Sequence, residues 1–380
     1  IIFFSKSHYE ITMTDKRIYQ IGLTMINGVG DILARHLLES LGNEEAIFTE
    51  KKSPLEKITG IGPTLSTEIL RADVLQTAEK ELTFIEKNKI DCHFYTDSTY
   101  PHRLKQCEDA PILFYSKGNI KPDVQRVISV VGTRNATTYG KDLTESLIRD
   151  LALHFPDLLV LSGLAYGIDI CAHRSALQNQ LPTIGVLAHG LDRIYPAIHR
   201  NTAVEMLQQG GLITDFPSGT NPDKQNFIKR NRIVAGLSDA TLVVESSSKG
   251  GSLITADIAF SYGRDVYCFP GRVADEQSKG CNKLIRENKA GLITCAADLI
   301  AALRWESNES PSSNVQHSLA FEEENAHPIV TLLKEKGELH VNQMAIALNI
   351  PIRNLTTQLF ELEMEGKIKT MPGGMFRLVR

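Results

Sequence analysis

Three short turns carry the residue types that hold phosphate: Gly132-Thr133-Arg134, Ser162-Gly163-Leu164-Ala165-Tyr166-Gly167 and Lys249-Gly250-Gly251-Ser252. Each follows an apolar run and leads into a helical pattern. Unpaired helix N–H groups and the helix dipole then favour an anion at that edge. None of the three matches the dinucleotide fingerprint G-x-G-x-x-G or the Walker pattern G-x-x-x-x-G-K-[ST], which argues against an ordinary NAD enzyme or P-loop ATPase. Two readings remain: backbone nests that take phosphate, completed by Arg134 and Lys249, or glycines that only make tight strand-to-helix turns.

A basic segment, Asn226 with Lys229, Arg230, Asn231 and Arg232, precedes the apolar strand from Ala240 to Glu245. Asn226 and Arg230 are one helical turn apart and share a face. Guanidinium groups suit phosphate through their planar, permanently charged fork. They could equally pair with Asp215, Asp239 or Glu245; at least one is expected to face a ligand. Asp169 and His173 also share a helix face, but no serine or cysteine sits where such a base would activate it, and a buried polar network is expected. His189 and His199 are too isolated to act as metal ligands. Tyr139, Tyr166, Tyr195 and Phe216 flank the glycine turns, either as stacking platforms for bases or as packing.

The elements that would position these residues follow from periodicity. Apolar runs at Val127–Val131, Leu158–Leu161, Thr183–Leu187, Leu212–Asp215, Thr241–Glu245 and Val266–Phe269 alternate with helical patterns. Continuous apolar strands in that alternation predict an α/β fold, a Rossmann-like doubly wound parallel sheet over 124–304. Residues 13–80 read as short helices with two similar turns, Gly28-Val29-Gly30 and Gly60-Ile61-Gly62. They resemble a helix-hairpin-helix (SAM-like) domain, whose turns present N–H groups to a nucleic-acid backbone. Residues 81–123 read as a connector and the polar 305–327 as a flexible linker. Three helical patterns and a Pro-Gly-Gly hairpin over 328–380 resemble a winged-helix domain.

Composition bounds the rest. The chain has 380 residues, 42% hydrophobic and 23% charged, with a net charge of −4. It is long enough for about two to four folded units. It lacks a global basic field, so nucleic acid must be met by local clusters. Six scattered cysteines without a C-x-x-C pair argue against structural zinc and a disulfide framework, and fit a reducing cytosol. No apolar run reaches a membrane span of roughly 18 residues. The opening residues 1–12 lack the features of a secretory signal and are uninformative, with Met13 the natural start.

The chain resembles the DNA-processing protein A (DprA/Smf) family of bacteria. The carrying motifs are Val131-Gly132-Thr133-Arg134 with Tyr139-Gly140, SGLAYGIDICAHRSAL, Gly190-Leu191-Asp192 with Tyr195-Pro196, and FPSGTNPDKQNFIKRNRIVAGLSDATLVVESSSKGGSLITADIAFSYGRDV, followed by CFPGR and GCNKLIREN. The resemblance implies cooperative, sequence-independent binding and protection of single-stranded DNA, loading of the RecA recombinase during natural transformation, and homodimers formed through the Rossmann-like core. It also implies a cytoplasmic, non-enzymatic protein with no cofactor or metal. The family's electropositive pocket includes the arginine of the G-[ST]-R turn, here Arg134. Where some relatives carry lysine after Tyr-Pro this chain has Ala197, and Arg200 is the candidate substitute.

The expected DNA contacts are therefore Gly132, Thr133, Arg134, Gly163, Tyr166, Gly167, Arg200, Asn226, Arg230, Asn231, Arg232, Lys249, Gly250, Gly251 and Ser252. The enzyme alternative is a lysine-decarboxylase-like nucleotide phosphoribohydrolase with a P-G-G-x-G-T-x-x-E signature. The matching stretch, Lys249 to Asp257, lacks the second glycine turn and the glutamate, leaving no obvious acid–base agent. A transcription-regulator reading fits poorly, because the third tail helix, 352–366, carries Glu361, Glu363 and Glu365 and would repel a duplex.

Overall fold

A computed structural model describes residues 15–305, 327–371 and 374–379. The opening residues 1–12 and most of the 305–327 segment lie outside the described residues. The described residues up to 305 form one compact unit and those from 327 onward a second.

The first unit opens with helices α1 (Lys16–Met25), α2 (Asp31–Leu41), α3 (Glu44–Thr49), α4 (Lys52–Leu55), α5 (Pro63–Ile69) and α6 (Ala72–Lys87). Strand β1 (Asp91–Phe94), α7 (His102–Lys105) and β2 (Leu113–Gly118) follow. The alternating part runs β3 (Val127–Val131), α8 (Thr138–His154), β4 (Leu159–Ser162), α9 (Ile168–Gln178), β5 (Thr183–Val186), α10 (Arg200–Gln209), β6 (Gly210–Thr214), α11 (Lys224–Leu237) and β7 (Ala240–Val243). It closes with α12 (Gly251–Ser261), β8 (Asp265–Cys268), α13 (Lys279–Arg286), β9 (Gly291–Leu292) and α14 (Ala296–Ala302).

One sheet contains all nine strands in the order β1-β2-β6-β5-β4-β3-β7-β8-β9. From β6 to β9 every pairing is parallel, while β2 joins β6 antiparallel. Successive strand residues go to opposite faces, as a pleat requires. Val127 and Val131 pack with α11 residues Ile233, Val234 and Leu237. Ile128 and Val130 pack with Leu147 and Ile148 of α8 and Ala172 of α9. Both faces are therefore covered, which is why these strands read as unbroken apolar runs. The order reverses at β3, whose two neighbours are β4 and β7. Open α/β sheets bind ligands at such a reversal, beyond the carboxyl ends of the strands.

The segment read as a connector belongs to the sheet instead. Leu113 and Tyr115 of β2 pack into the same core as Ile21, Leu37, Ile69 and Ile85 of the helical segment. The two hairpin turns fit together: a side chain at Gly28 would lie 2.8 Å from Leu65, and one at Gly60 3.2 Å from Leu33. In the second unit, α15 (Pro328–Lys336), β10 (Leu339–His340), α16 (Val341–Leu348), α17 (Ile352–Met364), β11 (Ile368–Met371) and β12 (Met375–Leu378) form three helices and a small sheet of order β10-β12-β11. Pro372 and Gly373 of its expected hairpin turn lie outside the described residues.

Two buried polar clusters tie the first unit together. Arg232 of α11, expected at the ligand, is buried instead. It pairs with Asp31 of α2 at 2.8 Å and Asp215 at 2.7 Å and donates to the Asp109 carbonyl. Asp31 also accepts from the Ile112 N–H at 2.9 Å. The arginine therefore clamps the helical segment to the core, because two carboxylates in a dry interface hold it more strongly than an open rim could. The second cluster lies beneath the carboxyl edge, where Asp169, His173, His199 and Arg230 are all buried. His173 Nδ1 sits 2.7 Å from the Thr183 hydroxyl. Burial, with the positive fields of Arg230 and His199, pushes its imidazole down to about 3.

Arg232→Met should lower stability by about 3–5 kcal/mol, since it takes the guanidinium away from the buried Asp215 and leaves that carboxylate only the Lys229 ammonium at 3.6 Å. A urea midpoint implying less than about 1 kcal/mol would refute the clamp. For His173, the unfolded chain takes a proton near 6.5 but the native chain only near 3. Its contribution to stability is thus complete above 6.5 and lost as pH falls towards 3. Urea midpoints over that range should fall less steeply in His173→Gln than in the parent; equal slopes would count against a buried neutral imidazole.

Candidate nucleic-acid interface

The loops that follow β3 and β7 meet at the sheet's reversal. In the first, the chain's own carboxylate occupies the anion position. Glu245, buried just after β7, accepts from the Thr137 N–H at 2.9 Å and from the Thr137 hydroxyl, at the entry of α8. The Thr133 N–H is likewise spent on the Glu245 carbonyl at 2.7 Å. Gly140 is required here, because a Cβ would sit 2.2 Å from the Glu245 carboxylate.

The second turn behaves the same way. Asp169 accepts from the N–H groups of Gly163 and Ala165 at 3.1 and 3.4 Å. Burial holds its carboxyl above the usual range, against the opposing pull of Arg230 and those two N–H groups. Arg230, also expected to face the ligand, lies beneath the turn and donates to the carbonyls of Gly163, at 2.9 Å, and Val186. Burial brings its guanidinium down to about 10. Gly163 leaves the space that this guanidinium fills. Gly167 has φ +78°, and a Cβ there would lie 2.1 Å from the Thr133 carbonyl, so no other residue fits.

These contacts correct the expectation that all three turns offer free amides to phosphate. In the first turn the Thr133 N–H is taken by the Glu245 carbonyl, and in the second the Gly163 and Ala165 N–H groups are taken by Asp169, so these three amides are not free for an external anion. The glycines of these two turns, Gly132, Gly163 and Gly167, shape the edge through close backbone approach. The third turn differs. Gly250 caps α12 without a side-chain cap, Gly251 is exposed with open space where a Cβ would go, and Lys249 is exposed. Ser252 turns inward, its hydroxyl 2.9 Å from that of Ser246, which removes it as a contact.

What the edge exposes is cationic and aromatic. The Arg134 guanidinium is solvent-facing and lies 5.2 Å from the centre of the Phe227 ring. Tyr195 is 44% exposed, with its ring centre 6.0 Å from that of Phe227. Tyr166 is 47% exposed and meets the buried His199 ring edge-on at 5.1 Å. Arg200, exposed, follows His199 at the start of α10. Asn226 and Asn231 are half-buried on α11, and the Asn226 amide donates to the Asn221 carbonyl at 2.9 Å. Thr133 is half-buried and its hydroxyl accepts from the Asn135 N–H.

Among the loop aromatics, Phe216 is buried under Lys229, and the Tyr139 hydroxyl donates to the Pro270 carbonyl at 3.0 Å. Phe227 was missed by sequence reasoning. Its signal was a lone flat side chain in the basic run, three residues before Arg230. Both buried carboxylates act as hydrogen-bond acceptors. Among the described residues no His/Cys/Asp/Glu group could hold a metal, and no helix is long and apolar enough to cross a membrane.

Comparison with known proteins gives the family. Residues 91–304 match the DNA recombination-mediator protein A model, and residues 316–374 match the DprA winged helix domain. Protein Smf of Escherichia coli is 34% identical over 285 residues, covering 74% of this chain and 75% of that protein. The X-ray structure of DNA processing protein A from Streptococcus pneumoniae superposes with a TM-score of 0.66 at 32% identity, over 75% of this chain and 97% of that one. The Helicobacter pylori protein, solved for its single-stranded DNA binding mode, gives 0.51 at 29% identity, over 57% and 96%. With its core, its winged-helix unit and two thirds or more of these full-length relatives accounted for, the chain belongs to the DNA recombination-mediator protein A family.

Proposed function

We propose that the chain binds single-stranded DNA without sequence preference along the carboxyl edge of its parallel sheet, making and breaking no bond. The observation that carries this reading is the cluster of exposed Arg134 and Tyr195 about the half-buried Phe227 ring, with exposed Tyr166 after β4 and Arg200 at the start of α10. A guanidinium over an aromatic face offers a phosphate partner and a π surface together, and base–aromatic stacking tolerates any base. Lys249, exposed beside the exposed Gly251 at the start of α12, supplies a further anion contact. Gly132, Thr133, Gly163, Gly167 and Gly250 shape this edge, and Asn226 and Asn231 border it. The DNA-binding relative from Helicobacter pylori adds support through its family.

Nuclease protection, handover of the bound strand to RecA during natural transformation, pairing of two copies through the core, and a cytoplasmic location rest on the family resemblance. They belong to this proposal.

Anisotropy titrations of a labelled oligothymidine and its duplex over a salt series test the reading. The single strand should bind more tightly, with a log–log salt slope of about −0.7 per phosphate neutralised. Arg134→Ala should weaken binding to all sequences alike and make that slope shallower by about 0.7. Phe227→Ala should cost about 1–3 kcal/mol with the slope unchanged. Equal affinity for duplex and single strand, or an Arg134→Ala variant that binds like the parent, would sink the proposal.

A further inference from the structure

We infer that Glu81, on α6 of the helical segment, is a positioning residue for the strand-binding edge, acting by fixing the loop between β6 and α11. The inference rests on the reading just given. Glu81 is a carboxylate with only 6% exposure, 137 residues away in sequence from its partner. One of its oxygens accepts from the Ser218 N–H at 2.9 Å, and the other accepts from the Ser218 hydroxyl. A buried carboxylate is costly unless its lone pairs are satisfied, so this pair holds Ser218 firmly.

The same loop is tied on its other side. The Gly219 N–H donates to Asp192 at 3.0 Å, and Arg193 donates to the Asn221 side chain at 2.7 Å. Asp192 and Arg193 lead directly to Tyr195. The loop then enters α11, where the Phe227 N–H closes the first turn on the Asp223 carbonyl. Ser218 is thus the point through which the helical segment reaches the Phe227–Tyr195–Arg134 stack. An open cavity of about 390 Å³, lined by Thr24, Lys80 and Pro217 together with Glu81 and Ser218, lies at this contact. The other link, from Arg232 to Asp31, grips α11 further along the same helix. The helical segment therefore serves the edge as a brace, with no need for its hairpin turns to touch DNA.

The test uses the full chain and a labelled oligothymidine. Glu81→Ala and Ser218→Ala should each weaken binding by about three- to tenfold. The double variant should lose no more than either single one, because one interaction is being removed. Glu81→Gln, which keeps an acceptor for the Ser218 N–H, should bind within about twofold of the parent. Lys80→Ala, on the same cavity, should bind like the parent. The salt slope should stay at the parent value in every variant, and hydrogen exchange in Glu81→Ala should quicken over 216–227 while β3 and β4 keep their protection. Should Glu81→Ala fail to fold, Ser218→Ala alone carries the test. Unchanged affinity in Ser218→Ala, or a slope made shallower by about 0.7, would overturn the inference. A loss in Arg134→Ala without any loss at Glu81 or Ser218 rejects the brace alone, whereas a parent chain that does not bind single strands rejects both readings.

Discussion

Glu245 and Asp169 occupy the positions at which a Rossmann-like sheet usually receives the phosphates of a nucleotide. Each carboxylate is buried: Glu245 accepts from the backbone amide of Thr137, just before α8, and Asp169 from the Gly163 and Ala165 amides of its glycine turn. That arrangement fixes the loops after β3 and β4 in one conformation. It also moves ligand chemistry outward, from backbone nests to the side chains that the loops carry. A mononucleotide site needs the nests open; an extended polyanion can be held from the outside.

Helix α11 joins the parts of the first unit. Its first turn carries Phe227 to the edge, its middle sends Arg230 under the Gly163 turn, and Arg232 reaches the helical segment. Three roles fall on residues within six positions of one another because successive side chains of a helix point about 100° apart. The buried arginines are held by carbonyls and carboxylates, so the helix is locked in rotation. Phe227 is therefore carried on a fixed backbone towards Arg134, and a fixed backbone is one part of a preorganised surface.

The alternation of strands and helices was legible in the sequence, since a strand buried on both faces must be predominantly apolar. The six core runs begin and end within about two residues of the strands. The helical segment and the three-helix tail were legible from glycine turns and amphipathic spacing. The partnership of 81–123 with the sheet was not, because edge strands β1 and β2 are short and the pairing of β2 with β6 spans about a hundred residues of chain.

For the site, residue types alone determined that cations, glycines and aromatics would gather at one edge: the turns follow parallel strands, and parallel strands end on the same side. Which of those residues face solvent was decided only by tertiary packing. Arg134 and Arg232 are alike in sequence chemistry, yet one lies over an exposed ring and the other between two buried acids. The difference arises from partners far away in the chain, Asp31 and Asp215 for one arginine and Phe227 for the other, and local spacing carries no record of contacts at that range.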